Sequence, residues 1–297
     1  MIYYHTLPAL KGYFRPDKLS EALAFLTQYG SQSSVLAGGT DLLVMMRSRK
    51  IKPRYILDIK AIPDIANIKM KSNFLQIGAG VTLREVEQSE MVHQKYPLLS
   101  EAVSQMASLQ IRNMGTVTGN ICRASPSADT LTPLLVMEAR VEIACAQRKR
   151  TVSLESFLTG PGETALEPYE MVTAIQIPIL PKNASAAFFR LTRVAADLAK
   201  VSTSVLLVQQ DNVCQEARIA LGGVASTAFR SYQTEKFMVG KHLDEKVIDA
   251  AGDLAAAESR PISDVRSTLE YRKEACRVLV SRAIKTCLAR IPSMGGK

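Results

Sequence analysis

Cysteine is scarce and unpatterned in this chain of 297 residues. There are five, Cys122, Cys145, Cys214, Cys276 and Cys287, and no C-x-x-C occurs. An odd count without metal-ligand spacing excludes a disulfide framework, a zinc site and an iron–sulfur cluster carried by this chain, and it favours a reducing cytoplasm. The three histidines, His5, His93 and His242, show neither metal-like nor triad-like spacing. No phosphate-binding G-x-x-x-x-G-K-[ST], no H-E-x-x-H and no G-x-S-x-G is present. No apolar run approaches the ~20 residues of a membrane span. The N-terminal Met1-Ile2-Tyr3-Tyr4-His5 lacks the basic and apolar regions of a signal peptide, so none is expected.

What is present is the composition of a folded protein, with 47% hydrophobic and 22% charged residues. The length corresponds to about two average domains. The charge is +9. Residues 1–180 carry 19 basic against 16 acidic side chains, and residues 181–297 carry 18 against 12, so the excess is spread and heavier in the second part. Such a balance suits nucleic acid, a membrane surface or an anionic ligand. Nucleic-acid binding is not expected. The clusters Arg47, Arg49, Lys50, Lys52, Arg54 and Arg148-Lys149-Arg150 have one aromatic neighbour, Tyr55, where a basic stripe with interleaved aromatics would be needed.

Helix and strand signals alternate in the first half. Asp17 reads as the N-cap of a helix to Tyr29 closed by Gly30. Strands are predicted at Ser34–Ala37, Tyr55–Ile59, Phe74–Ile77 and Val141–Cys145, and helices at Asp41–Arg47, Leu83–Ser89, Pro97–Ala107 and about Ser127–Glu138. Gly115–Asn120 reads as a loop. The proline-containing stretch Pro178–Ala187 is the best boundary. Beyond it, strands are expected at Phe188–Val194, Ser204–Gln209 and Ala217–Leu221, and helices at 244–257 and 268–290.

Two segments share a design suited to phosphate. In Val35-Leu36-Ala37-Gly38-Gly39-Thr40-Asp41-Leu42 a strand ends, two glycines turn and a helix begins. In Ile111-Arg112-Asn113-Met114-Gly115-Thr116-Val117-Thr118-Gly119-Asn120, glycines, hydroxyls and an amide lie between more regular segments. Paired glycines let backbone N–H groups face one anion. Two such segments some 75 residues apart fit a diphosphate held between them. Gly78-Ala79-Gly80-Val81-Thr82-Leu83 imitates a dinucleotide fingerprint, but its sixth position is Leu83, and no acid follows at the end of a second strand.

Together these stretches resemble the FAD-binding middle subunit of the molybdenum hydroxylases, the family of xanthine, carbon monoxide and nicotinate dehydrogenases and 4-hydroxybenzoyl-CoA reductase. Leu36–Leu42 matches the family's A-G-G-T-D-L, Gln110–Ile121 its Q-I-R-N-x-G-T-I-G-G-N, and Ala124-Ser125-Pro126-Ser127-Ala128-Asp129 its A-S-P-x-A-D. The resemblance implies an α+β fold, with a two-subdomain FAD-binding module at 1–180 (about 1–58 and 59–180) and a C-terminal α+β domain at 186–297. It implies FAD as cofactor, held by Leu36, Ala37, Gly38, Gly39, Thr40, Asp41 and Leu42 and by Thr116, Val117, Thr118, Gly119 and Asn120. Asp129 would take ribitol or ribose hydroxyls. Met106 and Val172 would pack near the cofactor, and Arg190, where the family has lysine, and Lys200 would lie close to the flavin. No catalytic acid or base and no metal ligand is expected here.

The same resemblance implies an electron-transfer subunit. Its partners would be a large molybdopterin-binding subunit and a small subunit with 2Fe-2S clusters, with an external acceptor such as NAD, in a dimer of heterotrimers. The alternatives are a self-sufficient FAD-dependent oxidoreductase and a basic binding protein without redox activity. Thr118 departs from the family's glycine and requires either φ below zero or an altered loop. No cysteine-rich insertion of the 4-hydroxybenzoyl-CoA reductase kind is present. The basic excess of the C-terminal part is expected to face an acidic partner or anionic acceptor, with Arg272, Lys273 and Arg277 as its markers.

Overall fold

The computed structural model describes residues 10–211 and 213–290. The first unit is a parallel three-stranded sheet of β1 (Gly12–Phe14), β2 (Ser33–Leu36) and β3 (Tyr55–Asp58), with β3 in the middle. Parallel neighbours need crossovers. Helix α1 (Leu19–Tyr29) supplies one and α2 (Leu42–Arg47) the other. Ala22, Leu23 and Leu26 of α1 pack on Leu57, Ile59, Ile62 and Ile65.

One detail at the ends of α1 differs from the sequence reading: Lys18, not Asp17, is the N-cap, with no side-chain cap. The helix ends at Tyr29 with Gly30 as its C-cap, as read; Gly30 has φ −47° and the chain continues into a 3₁₀ turn. Glycine is required there because a β-carbon would lie 2.1 Å from the Pro168 carbonyl oxygen.

The second unit is a five-stranded antiparallel sheet. Its strands are β4 (Ile68–Met70), β5 (Phe74–Gly78), β6 (Arg140–Ala144), β7 (Lys149–Ser153) and the central β10 (Met171–Pro178), in the order β4-β5-β10-β6-β7. The short pair β8 (Leu158–Gly160) and β9 (Glu163–Thr164) precedes β10. Between β5 and β6 run six short helices: α3 (Leu83–Gln88), α4 (Glu90–Lys95), α5 (Pro97–Ser104), α6 (Leu109–Met114), α7 (Val117–Arg123) and α8 (Leu131–Val136). Helix α9 (Leu154–Phe157) follows β7. Gly78 packs on the Pro63–Ile65 turn, where a β-carbon would meet the Ile65 oxygen at 2.1 Å. The Gly78-Ala79-Gly80 segment thus serves close packing.

The third unit is an antiparallel sheet of β11 (Ala184–Leu191), β12 (Val201–Gln210), β13 (Val213–Gly222) and β14 (Phe229–Arg230), backed by α10 (Tyr232–Met238), α11 (Glu245–Glu258) and α12 (Leu269–Arg290). Successive residues of a strand point to opposite faces. Strand β12 uses both. Val205 and Leu207 join the core beneath α11 and α12, while Leu206 joins the large core of the second unit. Ser204 reaches Thr132 of α8 at 3.0 Å. One face of the third sheet therefore closes the module that precedes it.

Helix α12 corrects an expectation. Arg272 is 4% exposed and donates to the Lys200 oxygen at 2.7 Å, the Gly223 oxygen at 2.8 Å and Asp264 at 2.9 Å. It is a tie inside the domain, not a marker of a docking face; Lys273 stays exposed. Among the described residues no helix is long and apolar enough to cross a membrane.

Candidate functional site

The first glycine segment leaves β2 at Leu36 and enters α2 at Leu42. Gly39 has φ +75°, in the left-handed region that favours glycine. Gly38 is required for another reason. A β-carbon there would stand 2.0 Å from the Met114 carbonyl oxygen and 2.7 Å from the Gly115 Cα. The two segments that were expected to share an anion are in contact.

The second segment is not a loop. Ser108 caps α6, and α6 ends at Gly115, whose oxygen accepts from the Leu83 N–H at 2.8 Å. Thr116 then caps α7, its hydroxyl accepting from the Gly119 N–H at 2.8 Å. Glycine and β-branched residues lowered the helical signal, but the Thr116 cap restores it. Thr118 falls in the first turn of this right-handed helix, where a β-carbon is unstrained. The departure from glycine is absorbed without altering the backbone.

A cleft of about 230 Å³ opens between the segments. Ala37, Gly38, Gly39, Thr40, Asp41 and Leu42 form one wall, and Gly115, Thr116, Gly119, Asn120 and Arg123 the other. Val35, Met45, Leu83, Met106, Ile111 and Cys122 close its apolar sides. Among the described residues, the backbone N–H groups of Gly38, Gly39, Thr40 and Asp41 donate to no protein acceptor. They are free for a ligand, beside the start of α2. Arg123 stands 3.8 Å from Asp41 at the rim. Arg112 braces α6 from behind, with two hydrogen bonds to Glu87 (3.0 and 3.2 Å) and one to the Met106 oxygen at 2.9 Å.

The first segment is also anchored from below. Lys60 lies 2.8 Å from Asp58 and donates to the Ala37 oxygen at 3.4 Å, and the Tyr13 hydroxyl donates to Asp58. Burial alone would raise the Asp58 carboxyl. The bonds from Lys60 and Tyr13 outweigh it and hold the group below the usual carboxylate range.

Comparison with known proteins matches this architecture along its length. Residues 8–180 match the family model for the FAD binding domain in molybdopterin dehydrogenase, and residues 186–287 that for the CO dehydrogenase flavoprotein C-terminal domain. The chain belongs to the FAD-binding medium-subunit family of the molybdenum hydroxylases. It is 32% identical over 284 residues to the carbon monoxide dehydrogenase medium chain of Afipia carboxidovorans, covering 96% of this chain and 99% of that one. It is 31% identical to the glyceraldehyde dehydrogenase medium chain of Sulfolobus acidocaldarius, covering 92% and 96%. The structure of carbon monoxide dehydrogenase from Hydrogenophaga pseudoflava superposes with a TM-score of 0.93 at 31% identity, over 96% of this chain and 99% of that one.

The residues of this medium subunit fit FAD. Besides the free N–H row, two buried side-chain oxygens near the second segment have no partner among the described residues: Thr118 Oγ1 and Asp129 Oδ1. Buried polar atoms are normally satisfied, and a polyhydroxylated cofactor offers the missing donors. Asp129 sits in the turn before α8. Its Oδ2 accepts from Arg190 Nη1 at 2.7 Å. Burial pushes its carboxyl up to about 6, against the opposing pull of Arg190.

Not every candidate residue reaches the cleft. Leu36, Val117, Thr118, Asp129 and Arg190 are not part of its lining, the last two being buried as an ion pair with each other, and Val172 is a core residue of β10 opposite Ile143. Lys200 sits over the Tyr271 ring at 5.6 Å, away from the lining. Conversely, Val35, Met45, Leu83, Ile111, Gly115, Cys122 and Arg123 line the cleft without having been singled out as ligands. Their signal was adjacency to the two motifs, which does not tell inward from outward faces. The cysteines are all free, and burial pushes the Cys122 thiol up to about 12, which favours its neutral form. Among the described residues no group of three or more His, Cys, Asp or Glu could hold a metal ion.

Proposed function

We propose that this medium subunit holds FAD with its diphosphate between Gly38–Asp41 and Thr116–Asn120. Asp129 would accept from the ribitol or ribose hydroxyls, and Met106 would pack against the cofactor. Bound FAD supplies exchange between one-electron and two-electron carriers. The chain's own residues bind and orient it. Backbone amides neutralise the diphosphate, Arg123 adds positive charge at the rim, and the apolar walls exclude water.

In this reading the chain carries electrons between iron–sulfur clusters of a small partner and an external acceptor such as NAD. Substrate oxidation occurs in a large molybdopterin-binding partner, within a dimer of heterotrimers in the cytoplasm. Residues 1–180 form the FAD module, divided near residue 58, and 186–297 the C-terminal domain. The observation that carries the reading is the contact of the two segments at Gly38 and Met114, which sets the unpaired N–H row of Gly38–Asp41 beside the start of α7.

The test is reconstitution. The purified chain is expected to bind FAD stoichiometrically and to oxidise no organic substrate by itself. Co-expression with molybdopterin and 2Fe-2S partners is expected to add substrate-dependent flavin reduction. A chain that cannot be loaded with FAD contradicts the binding, and turnover of an organic substrate by the chain alone contradicts the subunit role.

A further inference from the structure

Two hollows adjoin along the seam where the second sheet meets the third. One, of about 600 Å³, lies between the end of β4 and the Ile179–Pro181 stretch that leads to β11. The other, of about 490 Å³, lies between α5 and the end of α12. Pro97, Ala184 and Ala186 line both, so the two form one groove. It shares no lining residue with the cleft at the glycine segments.

The floor of the groove is apolar. Tyr96, Leu98 and Leu206 belong to the core of the second unit and show one surface to the larger hollow. Ile179 on its wall is 60% exposed. Both sheets also end here. β4 is an edge strand of the second sheet and β11 of the third, and a sheet edge presents N–H and C=O groups that another backbone can pair with. Ala184 and Ala186 stand two positions apart on one face of β11, and their small side chains leave the groove open.

The rim is cationic. Lys71 and Lys95 line the larger hollow and Lys182 follows Pro181 of its wall; all three are exposed. Among the described residues the lysines in ion pairs are Lys60, Lys149 and Lys285, so the three rim lysines have no acidic partner. The larger hollow has no acidic lining residue, and Glu101 of the smaller one is bridged by Arg290 at 3.0 Å. Of the α12 cations expected to face a partner, Arg272 is buried and Arg277 is paired with Glu274 at 2.6 Å. The seam lysines carry no such tie.

We propose that this groove is the docking site of one extended segment of a partner subunit, with apolar side chains seated on the Leu98 and Leu206 floor and carboxylates facing Lys71, Lys95 and Lys182. This rests on the subunit reading above and adds to it the place and the chemistry of one contact. Edge strands are matched by another backbone, and two adjoining hollows suit the length of a chain rather than the bulk of a compact ligand.

The test uses the complex reconstituted with its molybdopterin and 2Fe-2S partners and, separately, the full-length chain alone. Lysine acetylation read by mass spectrometry should label Lys71, Lys95 and Lys182 in the chain alone, and the label should be lost in the complex. Lys71→Glu combined with Lys95→Glu should slow association by about tenfold at low ionic strength, and the difference should shrink at about 0.5 M salt. Ile179→Glu should raise Kd for assembly by about tenfold at either ionic strength, whereas Ile262→Glu, at a residue 71% exposed outside the groove, should not. All these variants should bind FAD as wild type does. Equal labelling of the three lysines in chain and complex, a charge-reversed variant that associates at the wild-type rate, or equal effects of the two isoleucine variants would overturn the inference. So would loss of the label in the chain alone on raising its concentration or on adding decanoate, because the occupant would then be a second copy or a lone amphiphilic anion. A wild-type chain that binds FAD but assembles with neither partner would instead refute the subunit reading itself.

Discussion

Substituting Gly38 by alanine probes the contact on which the site is built. The new methyl group would begin 2.0 Å from the Met114 oxygen and 2.7 Å from the Gly115 Cα, whereas ordinary contact starts at 3.4 Å. Both obstacles are backbone, so no side chain can swing aside. One segment must move by more than 1 Å relative to the other, measured against that 3.4 Å contact. Overpacking of this kind costs about 1–3 kcal/mol. In a protein of this size that corresponds to a Tm lower by roughly 2–10 °C. On the proposed reading, the effect on FAD should be larger than the effect on stability, because the same displacement would pull apart the two segments between which its diphosphate would lie. We expect Kd to rise by more than about tenfold, the equivalent of one charge-assisted hydrogen bond. Titration of apo-protein with FAD, alongside thermal unfolding, reads both. Gly80→Ala is the control, since a β-carbon there meets its nearest neighbour at 3.4 Å and should leave Kd unchanged. A Gly38→Ala protein with wild-type Kd and Tm would refute the reasoning.

Other outcomes follow from the same contacts. Thr118→Val removes a buried hydroxyl without a partner and should stabilise the apo-protein by up to about 1 kcal/mol in urea unfolding. A loss of stability would show that the hydroxyl is already satisfied. Arg272→Glu should cost about 3–5 kcal/mol by breaking a buried ionic tie, whereas Lys273→Glu should stay within about 0.5 kcal/mol; equal effects would contradict the burial of Arg272. Glu170 is paired with Arg150 at 2.7 Å, and that bond, against burial, holds its carboxyl below the usual range. A depressed folded-state value means stability present above the unfolded value near pH 4.3 and lost as pH falls through the folded one. Glu170→Gln should therefore flatten the acid limb of the stability–pH curve, and an unchanged limb would count against the pair.

The parts of the site that could be read from sequence are those whose physics is local. Gly38-Gly39 and the start of α2 announce a turn, a close approach and a helix start within a few residues. The Thr116 cap was nonetheless read as part of a loop, because Gly119 and the β-branched neighbours mask a seven-residue helix. What could not be read is tertiary. Gly30 terminates α1 as the sequence suggests, but its need to be glycine comes from the approach of Pro168, which no local pattern announces. Arg272 looked like surface charge and is a buried tie. The bond between Asp129 and Arg190 joins elements of two sheets' surroundings, and no periodicity connects them. Strand β7 carries a polar, half-exposed sequence, and β4 is too short, at three residues, for its alternation to stand out.

The +9 charge is likewise distributed by the structure rather than displayed as one surface. Arg190 and Arg272 spend their charge inside the fold, and Arg123 lies at the cleft rim.

The central claim is that one FAD diphosphate lies between the two glycine segments. A structure of the chain determined with bound FAD tests it most directly. The expected result is diphosphate density within hydrogen-bond distance of the backbone N–H groups of Gly38–Asp41 and of the first turn of α7. FAD bound elsewhere on the molecule, or bound with these N–H groups still unpartnered, would contradict the claim.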